Sequence, residues 1–435
     1  MSAESLTDSH GSAWAHNYRC RLMTARRLSK IFAVAIVVLS VADFSTGVDA
    51  DTANVPLPVT REWTAPMKHA ISISRPGGIS LAVRARIRDV ATAIGAEAYP
   101  GRAAMVGLTL VRREEDVVQR VKRGMQVPMS VTVQPDEVVR NLLSAEAADA
   151  LAAGGIVMGE SSARYRGARV GDVVTLVGRR QRQLTFTIGF VADDEIVGGG
   201  DLLVSPQQAD RLGATTITRY TVTGFRNPDT ATSALAAAGF VNGMSYRVRR
   251  TWEGENPDAT LGLGEAKLLV GEFAYSLSKS GAVTADPDWI RANITPRRFF
   301  DGIPVRAACH RRIWAPLQGA LNEIKRAGLD DLIDVDNTNK YGGCFYPRLN
   351  RISGGLGYLS RHSWGMAFDL NTETNSQGRP PNLDCRIVRI FRAWGFAWGG
   401  NFTPADGMHF EYVGERRDNI EYPSKYCPNL VNRDR

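Results

Sequence analysis

The sequence predicts an α+β protein: a mixed α/β region first, then a C-terminal domain in which packed helices surround a small antiparallel sheet. Three observations predict it. Strand-like runs and helical stretches are interleaved between about residues 55 and 250. Two amphipathic helical stretches follow residue 300, and two short runs near the end alternate with the period of strands. A chain of 435 residues has ample length for two or three cores, and 44% apolar with 23% charged residues is ordinary for a globular protein. We divide it into residues 1–50, 51–250 and 251–435.

The first part is basic between residues 18 and 30, with Arg19, Arg21, Arg26, Arg27 and Lys30, and then apolar from Ile31 to Ala42. That run is too short for a bilayer span of ~20 residues and suits the apolar region of a secretory signal, with Val48–Ala50 as a cleavage site. An uncleaved membrane anchor through residues 31–42 is the alternative. Both place the remainder outside the cytoplasm. Cysteine use agrees: Cys20 precedes the apolar run, and Cys309, Cys344, Cys385 and Cys427 all fall in the C-terminal part. Four exported cysteines form two disulfides in any of three pairings, and no Cys-x-x-Cys spacing supports a cysteine-ligated metal. The formal charge of +8 suits an anionic wall or membrane surface. No lysine-arginine block of the kind that tracks nucleic acid is present, so no nucleic-acid partner is expected.

In residues 51–250, Ser80–Ile94, with Ser80 as N-cap, and Pro135–Ala153 read as helices. Val173–Val177 and the alternating Leu184–Val191 read as strands, and the glycines of residues 198–201 read as a turn before Leu202–Val204. No catalytic constellation stands out. The glycines lack the Gly-Lys-Ser/Thr ending of a phosphate loop, which disfavours nucleotide binding. Residues 159–176 with Phe186–Phe190 faintly resemble the extracytoplasmic domain of MacB-type permeases. That implies a positioning or contact role with an unknown partner, and a transporter is excluded because one short apolar run cannot build a permease.

In residues 251–435, the stretch from Thr251 to Pro296 is turn-rich and linker-like, although Lys267–Tyr275 is apolar enough to pack on a domain. Arg311–Arg326 places Ile313, Leu317, Leu321 and Ile324 on one helical face and stops at Gly328, with Pro316 as a kink or a start. A second helix begins at Asp384 as N-cap and buries Ile387, Ile390, Phe391 and Trp394. His310, at the head of the first helix, reads as structural.

The chemistry is concentrated between Ser360 and Glu411. Residues 360–369 carry His362, Gly365, Ala367 and Asp369, and residues 406–411 carry Asp406, His409 and Glu411. Met366, Phe368 and Leu370 alternate with Gly365, Ala367 and Asp369, as Met408, Phe410 and Tyr412 do with His409 and Glu411. Two strands would thus bury one side and present Asp369 and His409 from the other. Two imidazoles and a carboxylate suit a zinc ion that keeps a fourth position open for water. Asp406 is left over as a carboxylate able to move a proton beside it. Glu411 is placed to hydrogen-bond a ligand imidazole. Ser360 satisfies a neighbouring group, with no base to make it a nucleophile.

Ser-x-His-x-x-Gly-x-Ala-x-Asp, then Gly-Phe-x-Trp-Gly-Gly in residues 395–400, then Asp-x-x-His-Phe-Glu resembles the VanY-type zinc peptidases. These are the D-alanyl-D-alanine carboxypeptidases and L-alanyl-D-glutamate endopeptidases that cut peptidoglycan stem peptides. The resemblance covers about the last third of the chain. It implies Zn2+ bound by His362, Asp369 and His409, with Asp406 as general base where many relatives have glutamate. It further implies an upstream arginine that steadies the substrate and the developing oxyanion. Arg348 and Arg351 both qualify, with the spacing of Arg348 closer to the family pattern. Against this exported peptidase stands a non-catalytic alternative: a zinc-stabilised wall-binding protein, or an envelope scaffold or sensor led by residues 51–250.

Overall fold

One long strand, Glu97–Arg113, organises the front of the molecule. Its first half pairs with Ile217–Thr223, and its second half pairs with Val127–Val133 on one side and Val173–Val177 on the other. Val173–Val177 continues through Gln183–Ala192, Ile156–Gly159 and Leu202–Val204 back to Val127–Val133, so these strands close a barrel. Leu108, Val131, Ile156, Leu176, Ile188 and Leu202 fill its interior. Beyond Ile217–Thr223 the sheet extends through Ala70–Ser74 to Arg247–Arg250. The apolar face of this extension, Ile71, Ile73, Tyr220, Val222 and Val248, packs with Ile87 and Ala91 of helix Leu81–Ala93 and Ala231 and Leu235 of helix Pro228–Ala237.

The computed structural model describes residues 69–335 and 343–430. The basic stretch, Cys20, the apolar run 31–42 and the Val48–Ala50 site lie outside the described residues. Among the described residues no helix is long and apolar enough to cross a membrane.

Several elements follow the sequence closely. Val173–Val177 is a strand, Leu184–Val191 lies inside the strand Gln183–Ala192, and residues 198–201 turn into the strand Leu202–Val204. Others differ. Ser80 sits at the N-cap of Leu81–Ala93, but its side chain makes no capping hydrogen bond. The single helix expected over Pro135–Ala153 is broken into Asp136–Val138, a π turn at Val139–Leu143 and Ala145–Ala152. Ser144 is the break: its backbone is extended and its hydroxyl accepts from Ala147 N at 3.0 Å, an N-cap that competes with continuing the preceding helix. The strands between residues 97 and 133 were not foreseen, because Pro100, Gly101 and Gly107 interrupt the alternation of the longest one.

The linker-like segment holds a helix, Leu263–Val270, which packs on helix Glu160–Arg166. Here a buried clasp joins the barrel to the C-terminal part. Lys267 Nζ donates to Asp201 Oδ1 at 2.9 Å and Pro128 O at 2.5 Å, and stands 3.1 Å from Glu272 Oε2, which also pairs with Arg166. Asp201 accepts from Ser130 N and Oγ and from Ser162 Oγ. The four charged side chains are at most 3% exposed. Gly262 makes the approach possible, since a Cβ there would lie 2.2 Å from Gly199 O.

In the C-terminal core, Ile313, Leu317, Leu321 and Ile324 of helix Arg311–Arg326 pack with Ile387 and Phe391 of helix Cys385–Ala393. Pro316 lies inside the first of these helices without ending it, and Gly328 follows in the left-handed conformation. Asp384 caps the second by accepting from Arg386 N at 2.8 Å. Trp394 is half-buried: its ring lies over Gly319 and its Nε1 donates to Glu323, which makes it a packing residue. Both helices support a three-stranded antiparallel sheet with His409–Tyr412 in the centre, between Ala367–Asp369 and Phe396–Trp398. Disulfides join Cys309 to Cys344 and Cys385 to Cys427, one of the three pairings open from sequence.

Candidate functional site

Antiparallel register brings the two sequence runs together. Asp369 lies directly across from His409, and Ala367 across from Glu411. Phe368 and Phe410 fill the opposite face, where Phe410 stacks on Phe391 at 4.1 Å between centroids. His362 arrives from a short 3-10 turn, Arg361–Trp364, which Ser360 caps and Gly365 ends with φ +64°. Gly365 is required twice: its backbone is left-handed, and a Cβ would meet His310 N at 2.9 Å, where His310 N donates to Gly365 O. One ligand atom each from His362, Asp369 and His409 lies within 4.8 Å of the others, and all three residues are buried.

Each imidazole is held from behind. His362 Nδ1 is 3.0 Å from the Cys344 carbonyl, and His409 Nε2 is 3.1 Å from Glu411 Oε1. A carbonyl and a carboxylate only accept, so these outer nitrogens carry the protons. The inner nitrogens both face Asp369. His409 Nδ1 is 2.9 Å from Oδ1; His362 Nε2 is 3.2 Å from Oδ2, but is not aligned for a hydrogen bond and has no other partner. Burial pushes the Asp369 carboxyl up, yet the two imidazoles outweigh it and hold the group well below the usual carboxylate range. Burial pushes His409 down, and its hydrogen bonds to Asp369 and Glu411 outweigh that and raise it well above an ordinary histidine. The contact between His409 Nδ1 and Asp369 lies where a metal ion would bind. The donor set fits zinc: two nitrogens and an oxygen converging on one point, each imidazole oriented by an acceptor behind it.

Asp406 stands beside this group with one oxygen free. Its Oδ2 accepts from Gln377 Nε2 at 2.9 Å, and its buried Oδ1 has no hydrogen-bond partner. Burial raises its carboxyl above the ordinary value. The glycine-aromatic run before it supplies the mounting. Trp398 Nε1 donates to Gly407 O, Asp406 N donates to Gly399 O at 2.8 Å, and a Cβ on Gly399 would lie 2.6 Å from Asp406 O.

These residues open on a cleft of about 830 Å3 that Arg348 and Arg351 also line. Arg348 is half-buried; burial and then Arg351 lower its guanidinium, while Asp369 and Asp406 oppose that. Arg351 is exposed and near enough to lower Asp406. Neither makes an ion pair with the site among the described residues, so both stand at its mouth. His310 lies outside the cluster. It caps helix Arg311–Arg326 by accepting from Arg312 N, and burial pushes its imidazole down to about 4. The sequence reading missed Gln377, the Cys344 carbonyl and Arg361, whose Nε is 3.6 Å from Glu411 Oε2. The position of Arg361 beside His362 was the only available signal.

The arrangement is a group of three side chains that could hold a metal ion, at the edge of a cleft. Residues 353–412 match the sequence model of the family described as D-alanyl-D-alanine carboxypeptidase, a stretch that contains His362, Asp369, Asp406, His409 and Glu411. No curated protein matches the chain.

Proposed function

We propose that the protein is an exported zinc metallopeptidase that hydrolyses amide bonds of peptidoglycan stem peptides, as a D,D-carboxypeptidase or an L-Ala-D-Glu endopeptidase. The convergence of His362, Asp369 and His409, the last two lining the cleft, within the segment that matches the family, carries this reading. Two disulfides support an extracytoplasmic location.

His362 through Nε2, Asp369 through a carboxylate oxygen and His409 through Nδ1 would hold the ion. When bound, zinc supplies an acidified water and polarises the scissile carbonyl. Asp406 Oδ1 takes the proton from the attacking water and returns it to the leaving amine, while Gln377 fixes the other oxygen. Burial raises the Asp406 carboxyl above its ordinary value, which favours holding the proton between the two transfers. Arg348 or Arg351 anchors a substrate carboxylate or the developing oxyanion.

Mass spectrometry of muropeptides incubated with the zinc-loaded protein tests the reading. Loss of a terminal D-Ala marks a carboxypeptidase, and separation of L-Ala from D-Glu marks the endopeptidase. Muropeptides left intact over a range of zinc concentrations would refute both.

A further inference from the structure

The wall opposite the triad belongs to the front sheet, and it is basic. Along Ala70–Ser74 the apolar Ile71 and Ile73 point into the helix-covered core, which turns Ser72 and Ser74 to the other face. Ser74 is paired with Arg219 on one neighbouring strand and with Arg247 on the other, and Ser72 is paired with Arg249. Three arginines therefore share one face of three adjacent strands. This face continues across the outside of the barrel through Ala103, Met105, Ser130 and Thr132, and all of these residues line the cleft that contains Asp369, Asp406 and His409.

A polar sheet face ordinarily meets bulk water, and its arginines pair with nearby acids. Elsewhere in this chain strand arginines do: Arg102 pairs with Asp210 and Arg113 with Asp172. Among the described residues, Arg219, Arg247 and Arg249 make no ion pair. Acids lining the same cavities have other partners: Glu253 accepts from Tyr422 and faces Arg250, Asp194 accepts from Ser161 N, and Glu265 accepts from Gly262 N. Glu195, on the cleft wall, makes no ion pair with the three. Arg247 and Arg249 are exposed and Arg219 is half-buried, so their guanidiniums are open to the cleft. Three like charges on neighbouring strands repel one another, and an anion entering the cleft would be drawn to them and relieve that repulsion.

We infer that residues 51–250 complete the substrate groove, with Arg219, Arg247 and Arg249 receiving carboxylates of the peptide that lie away from the bond cut. This rests on the stem-peptide reading above and assigns the front domain a share in recognition. A groove with the triad on one wall and guanidiniums on the other would select peptides bearing several free carboxylates, and orient them before they reach Asp406.

Calorimetric titration of the zinc-free full chain tests it, using a stem pentapeptide with free carboxylates and its counterpart carrying carboxamides away from the scissile bond. The charged peptide should bind about tenfold or more tighter. Arg247→Ala/Arg249→Ala should remove that difference, and Arg247→Lys/Arg249→Lys should restore part of it. Equal binding of both peptides, undiminished preference in the alanine variant, or no binding of either peptide overturns the inference. Charge-selective binding without hydrolysis after zinc loading would remove the peptidase and keep the groove; hydrolysis without charge selection would do the reverse.

Discussion

The clasp around Asp201 and the cluster around Asp369 are both buried and both built on carboxylates, yet their charges are balanced in opposite ways. In the clasp, Asp201 and Glu272 meet Lys267 and Arg166, so two anions face two cations and both oxygens of Asp201 are satisfied. In the other cluster, Arg361 answers Glu411, but Asp369 and Asp406 have no lysine or arginine within ion-pair distance among the described residues. What faces Asp369 is two imidazoles, one of them through a nitrogen with no partner. Burial with complete pairing is how a protein joins two of its parts. Burial with the carboxylate answered only by imidazoles leaves a group that could hold an ion. Carboxylates are fully paired in one case and left with unpartnered neighbours in the other, and completeness of pairing distinguishes the two clusters.

Substitutions in each cluster should have separable effects. Lys267→Met leaves two buried carboxylates to one arginine and should lower unfolding stability by roughly 3–5 kcal/mol, read from urea midpoints. Asp369→Ala should leave the midpoint near that of the parent while abolishing zinc binding in a titration. If both variants unfold alike, the distinction between the clusters fails. Asp406→Ala should keep the metal and lower kcat by about 10²–10⁴, since it removes only the proton carrier; hydrolysis equal to the parent's would remove it from the mechanism. Glu411→Gln, which weakens the acceptor behind His409, should reduce zinc affinity by about 10–100-fold with the fold intact.

The smallest effect concerns acid. Burial raises the Asp201 carboxyl, but Lys267 and Arg166 outweigh this and hold it below its ordinary value. A depressed folded-state value means that the stabilisation is complete above the unfolded value of about 3.9 and is lost as pH falls from there toward the folded one. Stability of the parent should therefore decline below about pH 4, and the decline should be shallower in Lys267→Met, where Asp201 is less depressed. Equal slopes would show that other groups govern acid unfolding.

The two clusters also differ in how far the sequence discloses them. His362, Asp369, Asp406 and His409 were legible because the strand period, the small residues and the motif spacing repeat in local order what the fold does in space. The helices at 311–326 and 385–393 were legible from their apolar faces. The clasp was not. Asp201 and Lys267 are separated by 66 residues, and nothing local marks either as buried. Lys267 was instead read as the head of an apolar run. The wall of arginines was hidden for the same reason, since Arg219 and Arg247 become neighbours only when Ser74 pairs with both. Gln377, in an irregular stretch with no periodic signal, reaches Asp406 across 29 residues that include a helix and a strand.

One link crosses from covalent structure into the site. The carbonyl that fixes His362 belongs to Cys344, half of a cystine with Cys309. An imidazole that is no ligand to sulfur is thus aimed by a bond that reductants can open. Were opening of the cystine to displace this carbonyl, His362 would lose its orientation, and by reciprocity a metal held through His362 would favour the closed cystine.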